Sequence, residues 1–167
     1  MVERQRLLSV LDQAASAKLT AIVAGAGYGK TVLAADFLER RGYGYLWYQL
    51  EEADCDLTVF LSHLAAALCA FDDGLSRIEW EMEASQPTGK DHLEFFATLL
   101  SEVQRYVSED LFIVLDDFHE VNGCPEIIEA MEYILRRSPP NLHFMILSCS
   151  ELSMDLSRLK ARRELLE

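Results

Sequence analysis

Basic residues are scarce in this sequence. It has 15 Lys and Arg against 28 Asp and Glu over 167 residues, which gives a formal net charge of −13 at pH 7. Binding to duplex nucleic acid depends on neutralising phosphates with Lys and Arg, so the deficit predicts no DNA binding by this segment. The acidic residues are concentrated between Glu51 and Glu83, and we interpret that stretch as a solvated acidic face rather than a metal cage.

Long apolar runs and cysteine pairs are also missing. No apolar run reaches the roughly 18 residues of a membrane span, and the polar start at Met1–Arg6 lacks the apolar core of a secretory signal. These absences predict a cytoplasmic protein without a membrane partner. The four cysteines include no CxxC pair, so we expect reduced thiols, with no disulfide framework and no zinc site. They are Cys55, Cys69, Cys124 and Cys149.

What is present is an alternation of strand-like and helix-like segments in a chain of one-domain length. Short apolar runs predict strands at 18–24, 45–50, 111–115 and 142–147. Helical spacing predicts helices at 4–15, 31–41, 57–71, 90–107 and 125–137. The stretch from Asp72 to Gly89 is predicted to be a loop. Alternation of this kind predicts an α/β fold, with a mostly parallel sheet of four to five strands and helices on both faces.

A phosphate-binding loop follows the first predicted strand and opens the next helix. Glycines allow successive backbone N–H groups to curve around a phosphate, Lys30 supplies a charge to the β- and γ-phosphates, and the Thr31 hydroxyl can reach Mg²⁺. The small Ala24 holds the place of the first glycine in the usual pattern. The loop predicts a P-loop NTPase fold and an ATP or ADP site. The predicted nucleotide-binding residues are Ala24, Gly25, Ala26, Gly27, Tyr28, Gly29, Lys30 and Thr31.

The strand 111–115 delivers two carboxylates at its C-terminal end, where ligands bind in open α/β sheets. Thr31 and Asp116 are predicted to hold Mg²⁺ together. Asp116 is expected to do so through a water molecule. Asp117 is the candidate catalytic residue, placed to orient or deprotonate an attacking water. For His119, sensing the phosphate and a purely structural loop role both remain open.

Taken together, these segments resemble the nucleotide-binding domain of the large ATP-dependent transcriptional activators related to the maltose-regulon activator. Those proteins are signal-transduction P-loop ATPases of the STAND class, often with a LuxR-type DNA-binding domain at the far C-terminus. The resemblance covers nearly the whole chain. It rests on the sequences at 4–8, 26–31, 46–50 with the acidic 51–56, 114–119, 138–143 and 158–162.

Two departures from that family shape the expectations. The family usually has Arg after the Ser or Thr that ends the strand at 142–147, close to the γ-phosphate, whereas Ser148 is here followed by Cys149. The resemblance therefore implies nucleotide binding with weak or no hydrolysis. The family also continues into further domains, so we expect residues 1–167 to be one P-loop domain, an N-terminal fragment of a longer regulator whose partners include the rest of its own chain.

Three functions remain open from the sequence. The leading one is a nucleotide switch that controls a signal-responsive transcriptional regulator. A small-molecule kinase of the P-loop class is the alternative, but its lid needs arginines, and the candidate lid at 72–89 has one. The third is a nucleotide-binding interaction module without turnover.

The P-loop class also implies a strand order: 44–50, 111–116, 142–148, then 18–24. If 164–167 cannot form a fifth strand, the strand at 18–24 becomes an open sheet edge. Open edges pair with other chains. We therefore expect either self-association or an edge covered by the N-terminal helix or the 151–167 tail.

Overall fold

A computed structural model describes residues 5–72, 75 and 89–167. The six helices among them are α1 (Gln5–Leu11), α2 (Lys30–Arg41), α3 (Leu57–Phe71), α4 (Gly89–Tyr106), α5 (Pro125–Arg137) and α6 (Ser157–Arg162). The strands are β1 (Leu19–Val23), β2 (Gly44–Gln49), β3 (Leu111–Asp116), β4 (Leu142–Ser148) and β5 (Leu165–Leu166). Short 3₁₀ helices cover Ala14–Ser16, Glu52–Cys55 and Phe118–Glu120.

The five strands form one parallel sheet in the order β2-β3-β4-β1-β5. The predicted order of the first four strands is therefore confirmed, as is the α/β fold class. The central strands β3 and β4 are buried along their whole length, whereas β2 lies at the edge and is half-buried. Near-continuous apolar runs suit strands that are covered on both faces.

Two apolar clusters cover the two faces of the sheet. Side chains alternate along β3, so Phe112 and Val114 join the cluster formed with α1 and α2. Ile113 and Leu115 join the larger cluster formed with α3, α4 and α5. This alternation follows from the two-residue period of a strand. The three-layer arrangement of helix, sheet and helix is confirmed.

The C-terminal tail corrects one expectation. Leu165 and Leu166 form a fifth parallel strand that pairs with Leu19 and Thr20, so the four-stranded sheet with an open edge at 18–24 is wrong. The 151–167 tail is predicted to cover the edge of a four-stranded sheet, whereas its residues join the sheet as a fifth strand and place β1 in the interior. The backbone N–H groups of Lys18 and Leu19 both donate to the Glu164 carbonyl, at 2.8 and 3.0 Å.

A second correction concerns the cysteines. Cys55 and Cys124 form a disulfide across a sequence separation of 69 residues, whereas the sequence predicts four reduced thiols. Cys55 ends the 3₁₀ helix between β2 and α3, and Cys124 directly precedes α5. Their approach depends on how β2 and β3 pair, which residue spacing does not report. Cys69 and Cys149 are not part of a disulfide.

Most predicted helices and strands match the structure to within two residues. The predicted helix 4–15 is shorter, because α1 ends at Leu11 and the chain continues into the 3₁₀ turn at Ala14–Ser16. The candidate lid between Asp72 and Gly89 lies almost wholly outside the described residues. In the described part of the chain, no helix has the length and apolar character needed to cross a membrane.

Candidate functional site

The carboxyl ends of the parallel strands bring the predicted site residues to one edge of the sheet. In the strand register Gln49 lies opposite Asp116, and Val23 lies opposite Ser148. The chain segments that follow these residues therefore meet at the same edge. Ligands of open α/β sheets bind at such an edge.

The loop between β1 and α2 has a backbone conformation that requires glycine at two positions. Gly27 and Gly29 adopt left-handed conformations, with φ of 80° and 73°, which other residues rarely tolerate. Helix α2 begins directly after Gly29, so the first N–H groups of a 12-residue helix face the loop. The Tyr28 side chain is 76% exposed. The N–H groups at a helix start suit an anionic group.

Lys30 lies under this loop and is only 8% exposed. Its Nζ donates to the carbonyl oxygens of Ala24, at 2.8 Å, and Gly25, at 3.2 Å. A third contact, at 3.3 Å, joins Nζ to Sγ of Cys149. The ammonium is thus held at the loop by two carbonyls and a sulfur, and it faces the position where the helix N-terminus favours an anion.

Thr31 and Asp116 are in direct contact. The Thr31 hydroxyl donates to Oδ2 of Asp116 at 3.0 Å, and Asp116 is 2% exposed. Oxygen donors of this kind are the ones that Mg²⁺ prefers. The contact between the hydroxyl and the carboxylate fits a site in which Thr31 binds the ion directly and Asp116 holds it through water.

Asp117 adopts a left-handed conformation with φ of 55°, which Asp tolerates better than most residues. Its backbone N–H donates to Oδ1 of Asp116 at 2.9 Å, and its own Oδ2 accepts a hydrogen bond from Nε2 of Gln49. Gln49 is a site residue that sequence reasoning missed. Its place at the end of β2, opposite Asp116 in the register, could have indicated it once the strand order was known.

The loop that follows Gln49 is anchored in two ways. The Tyr48 hydroxyl donates to Oδ1 of Asp54 at 2.5 Å and lies 2.8 Å from Nδ1 of His63. Burial, followed by the hydrogen bond to the Asp54 carboxylate, raises the pKa of Tyr48 well above its ordinary value, so the phenol stays a donor. The disulfide between Cys55 and Cys124 then joins this loop to the segment after Asp117.

His119 and Cys149 lie close to Asp117. Nδ1 of His119 is 3.9 Å from Oδ1 of Asp117, and its Nε2 is 3.4 Å from Oε1 of Glu120. Cys149, directly after β4, is partly exposed. The side chains of Asp117, His119 and Cys149 thus form one cluster beside Lys30.

Asn122 holds the segment that follows Cys149, and sequence reasoning missed it too. Its Nδ2 donates to the Glu151 carbonyl at 2.8 Å, and its Oδ1 accepts from the Ser153 N–H at 2.9 Å. Ser148 closes the same turn, because its hydroxyl donates to the Ser150 carbonyl at 2.7 Å. An amide side chain that satisfies two backbone groups fixes the path of the chain beyond β4.

Among solved structures, the chain is similar to the ORC1 protein of Aeropyrum pernix, solved in complex with DNA. The TM-score is 0.54 and the identity 16%, over 99% of this chain and 45% of that one. C. elegans PCH-2 matches with a TM-score of 0.47 and 12% identity, over 98% of this chain and 40% of that one. This chain thus spans less than half the length of either.

The match to the Aeropyrum pernix protein supports the α/β fold. A family model, described as Nephrocystin 3, N-terminal, matches residues 1–149. That range contains the loop from Ala24 to Thr31, Asp116 at the end of β3, Asp117 directly after it, and Cys149. The chain belongs to the family described as Nephrocystin 3, N-terminal.

Proposed function

We propose that this chain is a nucleotide-binding module that holds ATP or ADP with Mg²⁺. The observation that carries the proposal is the meeting of Lys30, Thr31 and Asp116 at the carboxyl edge of the sheet, with Thr31 and Asp116 3.0 Å apart. A glycine-rich loop, a buried ammonium, a hydroxyl and a carboxylate are the groups that a Mg-nucleotide requires.

Each residue has a role in that proposal. Backbone N–H groups of the loop between Gly25 and Thr31 surround the phosphates, whereas the N–H of Ala24 donates to the Ser148 carbonyl. Lys30 turns from its two carbonyl partners to the β- and γ-phosphates. Thr31 and Asp116 hold Mg²⁺, which neutralises phosphate charge when bound. Asp117, kept in place by Gln49, orients or deprotonates the attacking water.

We propose slow turnover or none. Cys149 stands directly after β4, where the family of maltose-regulon-activator-like regulators usually has an Arg close to the γ-phosphate. One cationic or hydrogen-bonding contact to the developing charge is worth about 3–4 kcal/mol. The contact of Cys149 with Lys30, at 3.3 Å, supports its position beside the phosphate site.

At a finer level, we propose that residues 1–167 are the nucleotide switch of a longer, cytoplasmic, signal-responsive transcriptional regulator of the STAND class with a LuxR-type module. The support for this level is the resemblance of the segments at 26–31, 46–50 and 114–119. DNA contact is then made elsewhere in the regulator, because this segment carries a net charge of −13.

Calorimetry with Mg-ATP and Mg-ADP tests the binding site. Lys30→Ala is expected to lose one or two charge-assisted hydrogen bonds, each worth about 1.5–3 kcal/mol, so affinity falls at least tenfold. Lys160→Ala is the matched control, because Lys160 is 55% exposed and pairs with Glu167 away from the loop. Unchanged binding in a folded Lys30→Ala variant would remove the site assignment.

A further inference from the structure

Three potential metal ligands meet beyond the carboxyl ends of β3 and β4. A carboxylate oxygen of Asp117, a ring nitrogen of His119 and the sulfur of Cys149 all lie within 4.8 Å of one another. From this cluster we infer that Asp117, His119 and Cys149 form a site for a thiophilic divalent cation of the zinc type. The site is distinct from the Mg²⁺ position at Thr31 and Asp116.

His119 is already oriented as a ligand. Its Nε2 lies 3.4 Å from Oε1 of Glu120, so a proton on Nε2 leaves the lone pair on Nδ1. That Nδ1 atom is buried and has no hydrogen-bond partner within the part of the chain that the structure covers. It lies on the Asp117 side of the ring, 3.9 Å from Oδ1. A carboxylate on the far ring nitrogen is the usual partner of a metal-binding histidine.

The donor atoms select the class of ion. One sulfur, one imidazole nitrogen and one carboxylate oxygen suit tetrahedral Zn²⁺ and leave a fourth position open, whereas Mg²⁺ prefers oxygen ligands alone. Donors on a tetrahedral zinc are about 3.3–3.8 Å apart, given bonds of about 2.0–2.3 Å. The present donor atoms lie within 4.8 Å of one another, so binding of the ion requires them to approach by about 1 Å.

Lys30 couples this site to the phosphate loop. Its ammonium lies 3.3 Å from the Cys149 sulfur, so it competes with a metal cation for that atom. A phosphate that draws Lys30 away leaves the sulfur free, and Mg-ADP is therefore expected to strengthen metal binding. This coupling rests on the proposed function, whereas the metal site itself does not.

Cobalt titration of the complete chain tests the site without nucleotide. The protein is kept free of thiol reductant, so that Cys55 and Cys124 remain paired. One equivalent of Co²⁺ is expected to give a thiolate-to-cobalt charge-transfer band in the near ultraviolet, and Zn²⁺ is expected to remove it. Cys149→Ser should abolish the band. Cys69→Ser, at the other cysteine outside the disulfide, should keep it, since serine can also donate to the Leu75 carbonyl that Cys69 contacts.

Two further variants test the histidine arrangement. His119→Ala is expected to lower Zn²⁺ affinity at least tenfold. Glu120→Gln changes only the carboxylate beside Nε2 of His119, and it is expected to lower Zn²⁺ affinity roughly tenfold to a hundredfold. Circular dichroism confirms that each variant folds. A wild type without the sulfur band, a band that survives Cys149→Ser, or an unchanged affinity in His119→Ala would each overturn the site.

The Lys30→Ala variant separates the two proposals. It is expected to lose nucleotide binding and to keep the cobalt band, because Lys30 is not a ligand. If the wild type binds Mg-ATP but shows no cobalt band, only the proposed metal site is contradicted. If the wild type shows the cobalt band but binds no nucleotide, only the proposed nucleotide site is contradicted.

Discussion

Reducing the disulfide between Cys55 and Cys124 is expected to destabilise the fold measurably. The bond closes a loop across 69 residues, and within that loop lie α3, α4 and β3. Cross-linking removes conformational entropy from the unfolded chain, and for a loop of this length the chain-entropy relation gives about 4 kcal/mol at 25 °C. For a domain of this size each kcal/mol moves the midpoint by about 2–4 °C. The expected fall in Tm is therefore about 10 °C.

Thermal unfolding with and without a phosphine reductant measures the effect. The double variant Cys55→Ser/Cys124→Ser is the control, because it should already unfold at the lower temperature and should not respond to the reductant. Cys69→Ser should unfold near the wild-type temperature and respond to the reductant as the wild type does. Four alkylatable thiols in the oxidised, folded protein, or a wild-type midpoint that ignores the reductant, would refute the reasoning.

Two further predictions concern function. Wild-type hydrolysis of ATP is expected to be very slow or undetectable. Cys149→Arg should raise the rate, at most about 10²–10³-fold, because it supplies one cationic contact. Brisk wild-type turnover in a phosphate-release assay would contradict this. The chain is also expected not to bind duplex DNA at physiological salt, because it has only 15 basic residues against 28 acidic residues. A mobility shift at micromolar protein would show that expectation to be wrong.

The sequence alone was sufficient for the fold class, for most helix and strand positions and for the positive φ angles of the glycine loop before Lys30. Each of these depends on local patterns. The apolar run of β3 predicts a buried strand, and the Pro at the start of α5 with Arg136 and Arg137 at its end predicts that helix's limits. The glycines before Lys30 predict a loop whose backbone turns into a helix, because only glycine readily adopts positive φ.

Only the tertiary structure decided the contacts between segments that are distant in sequence. Gln49 meets Asp117, and Asn122 reaches Glu151, through the pairing and register of the parallel strands. The same register places Cys55 beside Cys124. No residue spacing reports such distances, because parallel strands are joined by long crossovers that place distant residues side by side.

The two-residue strand β5 was decided in the same way. Leu165 and Leu166 are too short a run to give a period, and they become a strand because the edge of β1 offers unpaired backbone groups. The cluster of possible metal ligands likewise joins residues that follow two different strands. Asp117 and His119 come after β3, and Cys149 comes after β4. The sequence determined which chemical groups exist and where strands end, and the parallel sheet determined which of those ends meet.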